Sequence, residues 1–207
     1  LFTSLAEMTY CTGRTMEHKA AANEVLIHSK SIDDSLRAHM AKIRCLLGEN
    51  NDSETVATML QVMNELGEPL PPKPSKSFTK AQLGQLRQRL DSTTDEEILF
   101  LPIMKSRRKS SAIRIMCDTL FPLENVNRDL SKTALCRMVN IILDNGLSSD
   151  SASVFAIVGY HCASEYDIDM AVRCTKLSMA LLKRPEFRAG KCVSTGFNVK
   201  TRHWREP

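Results

Sequence analysis

Apolar residues recur along this chain at intervals of three and four, the period of an α-helix with one buried face. Leu36, Met40, Ile43 and Leu47 fall at i, i+4, i+7 and i+11, and Gly48 is expected to end that helix. Val56, Leu60 and Met63 form the face of the next one, with Asn51 or Asp52 as its cap and Gly67 as its stop. Leu83, Leu86 and Leu90 line a further helix. Thr94 with Glu97 three residues on is a capping box, opening a helix that ends before Pro102. In "SSAIRIMCDTLFP" the aligned positions are Ile113, Met116, Cys117 and Leu120, and Pro122 is expected to close the helix. Ser131 is placed to cap a helix with core face Leu135, Met138 and Ile142 and with Gly146 just past its end. Ser149–Tyr166 and Ile168–Arg184 predict a last clear helical pair, with Asp167 and Asp169 at the start of its second member. The tail from Pro185 predicts one more helix. Before Leu36, a short helix stopped by Gly13 and an Ala-rich helix from Thr15 complete the series. No segment alternates as a strand would.

Four prolines in "PLPPKP" forbid helix and favour extended chain. They divide the sequence into two helical pairs over residues 1–68, a proline-rich connection over 69–77, and further helical pairs of the same array over 78–207. The expected class is all-α: an α-α superhelix of degenerate, tetratricopeptide-like antiparallel repeats. Such repeats need small residues where the two helices of a pair cross. Gly159 and Ala171 have the required twelve-residue spacing, with Phe155 and Val158 on the large apolar positions. Ala6 takes the small position of the first pair, where His18 is a poor partner, and Ala41 takes it in the second. Ala6 to Ala41 is 35 residues, close to the repeat period. The loop "GENND" lengthens the second pair, and the middle of the chain does not repeat cleanly.

Composition fits this picture. Aromatic residues are only 5% while hydrophobic residues reach 43%, which suits helices over a β-sandwich. A net charge of +4 is mild for a dedicated nucleic-acid binder. The longest apolar run, Val154–Val158, is too short to span a bilayer. The chain opens on Leu1 with no charged-then-apolar leader, so it reads as a piece of something larger. Seven cysteines contain no CxxC pair and sit mostly on apolar helix faces, as small buried hydrophobes in a reducing cytoplasm would.

Chemistry-bearing motifs are missing. There is no G-x-x-x-x-G-K-[ST], no kinase H-R-D or D-F-G set, and no H-E-x-x-H among the five histidines. His161 beside Cys162 on an apolar helix reads as packing. No catalytic residue, metal ligand or cofactor site is expected.

Four stretches sharpen the reading by their order: "LQVMNELGEPLPPKP" (60–74), "LPIMKSRRKSSAIRIMCDTLFP" (101–122), residues 149–184, and "RHWREP" (202–207). In that order the chain resembles the helical-repeat region of very large signalling proteins, the multidomain Ser/Thr kinases and hybrid sensor histidine kinases with an AAA- or STAND-type ATPase module. The family's leucine-glycine…leucine-proline step is matched at Leu66, Gly67, Leu70 and Pro71. Its leucine-proline-x-methionine is matched at Leu101, Pro102 and Met104, and its histidine-tryptophan pair at His203 and Trp204. Where the family has a neutral methionine-threonine-aspartate-proline turn, this chain has Met104-Lys105-Ser106-Arg107.

The resemblance implies a non-catalytic scaffold within a large ATPase and kinase chain, mediating contacts with a peptide or with neighbouring domains. Neither nucleic acid nor membrane is the expected partner. The alternative is a helical-repeat RNA-binding protein, which would need polar selector residues at fixed repeat positions. An unrecognised helical enzyme is a third, weaker alternative. The basic run Lys105, Arg107, Arg108, Lys109 and Arg114 reads as a solvated turn at a helix entry, with Ser110 a candidate target of a basophilic kinase.

Overall fold

In the computed structural model, residues 15–165 and 167–203 are described, and among them the chain is all-helical. We number the helices α1 (Thr15–His28), α2 (Ile32–Gly48), α3 (Asp52–Glu65), α4 (Lys76–Asp91), α5 (Asp95–Leu99), α6 (Arg107–Asp118), α7 (Leu120–Val126), α8 (Arg128–Asn145), α9 (Ser151–Ser164), α10 (Ile168–Leu182) and α11 (Lys191–His203). A 3₁₀ turn, Pro185–Gly190, precedes α11. The only β feature among the described residues is an isolated bridge between Ile103 and Leu147.

Local chemistry explains the boundaries. Ser31, Asn51, Ser75, Thr94 and Asp167 each accept a hydrogen bond from a first-turn amide, which satisfies one of the donors a helix start leaves open. At Thr94 the capping box is complete. Gly67, at φ 76, ends α3, and the Glu68 amide reaches back to Met63 O at 2.9 Å, as in a Schellman closure.

Several boundaries differ from the sequence expectation. Gly48 is still helical, and the left-handed residue after α2 is Asn50, at φ 54. Pro122 closes nothing. It sits in the first turn of α7, where its missing N–H is harmless, so Leu120 belongs to α7 and not to α6. Ser131 lies buried inside α8. That helix starts a turn earlier because Asn127 Oδ1 accepts from Asp129 N at 3.0 Å and Leu130 N at 3.2 Å. The proline-rich connection ends at Ser75, and α4 begins at Lys76.

The chain forms two compact units, Leu1–Pro74 with Asp118–Ser131, and Ser75–Cys117 with Lys132–Pro207. In the first unit α1 packs on α2, α2 on α3, and α7 returns from far along the chain to α3. Asn125 Nδ2 donates to Asp52 Oδ2 at 2.8 Å. Ala21 and Ala22 of α1 cluster with Ala41 of α2, so small side chains bring these two helices close. The buried stripe of α2 is Leu36, His39, Ile43 and Leu46, while Met40 and Leu47 are only half-buried. In α3, Met59 takes the buried place expected of Leu60.

The second unit is built around α9. Every residue from Ser151 to Gly159 is buried, so this helix is apolar all round and central. It packs against α10, α11 and the 3₁₀ turn. Phe155 is wholly buried, worth about 2–3 kcal/mol of transfer free energy. Two polar pairs lie within the core: Ser153 Oγ is 3.1 Å from Ser194 Oγ, and Asn198 Nδ2 donates to Ser178 Oγ at 3.1 Å.

Candidate functional site

The residues singled out by sequence fall in different places. Gly159 and Ala171 meet where α9 crosses α10: a Cβ on Gly159 would stand 3.1 Å from Ala171 O, 3.2 Å from Thr175 Oγ1 and 3.3 Å from Cys174 Cβ. Ala41 is buried at the α1–α2 contact. Ala6 lies outside the described residues, as do Gly13 and Trp204, and the side chain of His18 is not among those described. Ser110 is not in a turn. It lies in the second turn of α6, half-buried, with its amide donating to Ser106 O at 3.0 Å.

The basic run is therefore helical from Arg107 on. Ser106 caps it, Oγ accepting from Lys109 N at 3.4 Å. No acid stands in the first turn, so three cations occupy the positive end of the helix dipole, each at a cost of a few tenths of a kcal/mol.

The second unit has a groove of about 370 Å³ between α4, α8, α9 and α10. Its floor is Leu83, Leu86 and Leu90 of α4, Leu135 of α8, Val158 and Cys162 of α9, and Met170 of α10. Leu83, the outermost of the α4 stripe, is only half-buried. Gly84 leaves one wall low, since a Cβ there would meet nothing within 4 Å. The rim is charged. Lys80 stands at the end where α4 begins. Further along the helix Arg87 holds Asp91 (Nε to Oδ2, 3.0 Å) and Asp167, and elsewhere on the rim Glu165 accepts from Lys132 Nζ at 2.8 Å. That hydrogen bond holds the Glu165 carboxyl below its usual pKa.

The thiol of Cys162 is not an activated nucleophile. Burial pushes its pKa up to about 12, with Asp167 adding to the effect, and burial does the same to Cys136. Among the described residues, no three His, Cys, Asp or Glu side chains are grouped to hold a metal ion, and no helix is long and apolar enough to cross a membrane.

Near this groove in sequence, the ends of α4 and α5 are tied to α10 by Arg173. Its Nε donates to Asp95 Oδ1 at 2.6 Å, its Nη1 to Leu90 O at 2.6 Å, and its Nη2 to Thr93 O. Arg173 carries no sequence signal beyond an arginine in a helix, because all its partners lie about 80 residues away.

A second surface feature is the segment Leu99–Lys105. Phe100 is 84% exposed and Ile103 51% exposed, while Met104 between them and α6 turns inward. The backbone is fixed on both sides. Leu147 N donates to Pro102 O at 2.8 Å, Met104 N to Leu147 O at 2.8 Å, and Arg184 Nη1 to Leu99 O at 2.9 Å. In the sequence, Leu101, Pro102 and Met104 stand out only as a motif match, and Phe100 carries no signal. Two large apolar side chains held outward on an ordered backbone became visible only with the fold.

No family model matches this chain, and no curated protein or solved structure matches it.

Proposed function

We propose that this chain is a non-catalytic helical scaffold that docks a polypeptide segment in the groove between α4, α8, α9 and α10. The observation that carries this is the groove's make-up: an apolar floor with a partly exposed leucine, a low glycine wall, and charges confined to the rim. Protein-recognition sites combine an apolar centre with a polar rim in this way, and helix-lined grooves take short segments with apolar anchors.

The superhelical, repeat-like arrangement belongs to the same proposal. Its support is the successive packing of α1, α2 and α3 and of α9, α10 and α11. The return of α7 to α3 departs from nearest-neighbour stacking. The wider setting, a large ATPase and kinase signalling chain in the cytoplasm, rests on the order of the four stretches named above.

A display library of random twelve-residue peptides, selected against the 207-residue chain, tests the docking. The expected result is enrichment of peptides with two apolar anchors, binding with a dissociation constant on the order of micromolar, and loss of that binding in Gly84→Leu. No enrichment, or enrichment indifferent to Gly84→Leu, overturns the proposal. For the signalling setting, hydrogen exchange on the intact parent protein with and without ATP should differ in this region.

A further inference from the structure

The first unit carries a polar pocket of about 390 Å³ where the turn between α1 and α2 meets α2 and α3. We propose that this pocket binds the phosphoryl group of a small organic phosphate. The docking groove belongs to the second unit, so this site stands independently of that reading.

The pocket has a surplus of donors. Lys30, on the turn, and Lys42, on α2, both line it, and among the described residues neither pairs with a carboxylate. An ammonium group has three donors and no acceptor. Two of them facing one concavity call for an acceptor-rich occupant.

Thr58 adds an independent observation. Thr55, one turn earlier on α3, donates its hydroxyl to Asn51 O at 2.8 Å, and Thr79 does the same to Ser75 O at 3.2 Å. Such a back-bond is open to any helical threonine, yet Thr58 does not make it. The residue is only 7% exposed, and its hydroxyl bonds to no described group. Its oxygen is not among the polar atoms sealed from solvent, and the residue lines the pocket. A deeply buried hydroxyl therefore opens into the cavity unpaired, and leaving such a group unsatisfied is costly.

The remaining lining groups narrow the ligand class. Ser29, Ser31 and Ser35 have committed their hydroxyl protons to Val25 O, Asp34 Oδ2 and Ser31 O. Glu65 is the one carboxylate in the described lining. Its Oε1 accepts from Gln61 Nε2 at 3.0 Å, and its Oε2 lies 3.8 Å from His39 Nε2. Burial lowers the pKa of His39, against the pull of Glu65 and with a smaller push from Lys42, so the imidazole is neutral at pH 7. Two ammonium groups against one engaged carboxylate leave the pocket positive.

Three unpaired donor groups, two of them charged, match the three terminal oxygens of a phosphoryl group, which carries nearly two negative charges at pH 7. A monocarboxylate would leave one lysine unanswered. Ser31 and Ile32 put the start of α2 in the wall, but Asp33 and Asp34 in that turn offset its dipole. The lysines, and not the helix end, supply the charge. The cavity is larger than bare phosphate, which leaves space for an organic remainder beside Leu26 and Ile32.

Isothermal titration calorimetry of the 207-residue chain with glucose 6-phosphate, inorganic phosphate, succinate and glucose tests this. The NMR signals of the His39 imidazole serve as the local reporter. Glucose 6-phosphate should bind with a dissociation constant on the order of 0.1–1 mM, inorganic phosphate more weakly, and glucose not at all. Succinate should bind at least about tenfold more weakly than glucose 6-phosphate, and both phosphates should shift the His39 signals. Lys42→Ala and Thr58→Val should each weaken binding about tenfold, the scale of a hydrogen bond to a charged group. Thr58→Val removes an unpaired hydroxyl and keeps the side chain's shape. Without ligand it should melt no lower than the wild type, which separates lost binding from lost folding.

No binding of either phosphate overturns the inference. So does binding that leaves the His39 signals unmoved or survives both substitutions, which would mean an adventitious ion only. Succinate binding as tightly as glucose 6-phosphate would overturn the phosphoryl class. Tighter capture of a phosphoserine peptide, lost in the same variants, would replace the small molecule with a phosphorylated segment.

Discussion

A Cβ added to Gly146 would overlap the carbonyl oxygen of Pro102, the oxygen that accepts a hydrogen bond from Leu147 N. Gly146 also has φ 98, a conformation that L side chains rarely adopt. Two penalties therefore fall on one substitution, and the clash is with backbone that cannot rotate away. Gly146→Ala should destabilise the chain by at least about 2 kcal/mol and loosen the Leu99–Lys105 segment. Gly84→Ala, in the middle of α4 with open space around it, should instead stabilise by about 0.5–1 kcal/mol. Urea unfolding of both variants checks the pair. Equal effects would show that the Pro102 approach is not rigid.

Cys136 is buried, and burial raises its thiol pKa to about 12. In the unfolded chain the thiol returns to its ordinary value near 8.5. Below that value both states are protonated and the stability contribution is complete. As pH rises from about 8.5 toward 12, only the unfolded chain releases the proton, and stability falls. At pH 10 the loss attributable to this one thiol is on the order of 1–2 kcal/mol. Denaturant midpoints between pH 7 and 10 should decline less steeply in Cys136→Ala than in the wild type. Cys162, half-buried in the groove with its pKa raised to about 12, should alkylate much more slowly at pH 8 than a free thiol. Fast labelling would place it in a different environment.

How much of this was legible beforehand follows from the range of the interactions. The Thr94–Glu97 box and the Asp167 cap act within three residues, and their sequence signatures located both helix starts. The Gly159–Ala171 crossing was legible for a related reason. The α9–α10 connection is short, so a twelve-residue spacing already fixes which residues can meet. Misplaced features had a competing local signal. Pro122 reads as a stop but is tolerated in a first turn, and Ser131 reads as a cap but is overtaken by Asn127 one turn earlier. Leu83, Leu86 and Leu90 were aligned correctly as an apolar face. That the outer leucine lines a groove depends on Leu135, Val158 and Met170, which reach it only through the tertiary fold. The Arg173 tie and the exposure of Phe100 are of the same long-range kind.

Ser110 should be a poor kinase substrate in the folded chain. Protein kinases bind their targets extended, and Ser110 is half-buried in helix with its amide bonded to Ser106 O at 3.0 Å. Labelling would require the first two turns of α6 to unwind, withdrawing Ala112 and Ile113 from positions where both are fully buried. A synthetic peptide covering residues 101–116 should be labelled by a basophilic kinase. The intact chain should stay unlabelled until denaturant is added, as mass spectrometry would show. Equal labelling of both would mean that this end of α6 opens readily.

At Gly159 two opposing terms can be weighed. A helix-interior Gly→Ala change gains about 1 kcal/mol in propensity. Against it, the new Cβ would sit 3.1–3.3 Å from Ala171 O, Thr175 Oγ1 and Cys174 Cβ, inside ordinary contact distance by a few tenths of an ångström. Small shifts of α10 can absorb one methyl group, so Gly159→Ala should be within about 1 kcal/mol of wild type. Gly159→Leu cannot be absorbed that way. It faces the backbone of Ala171 at the closest point of α9 and α10, and overpacking there should cost about 2–3 kcal/mol or more. If the crossing is the constraint, both effects depend on the same neighbour. Thr175→Ala, which removes one of the three crowding atoms, should then recover part of the Gly159→Leu loss. A double-mutant cycle by thermal unfolding measures the coupling, and strict additivity of the two substitutions would show that the helices do not meet at Gly159.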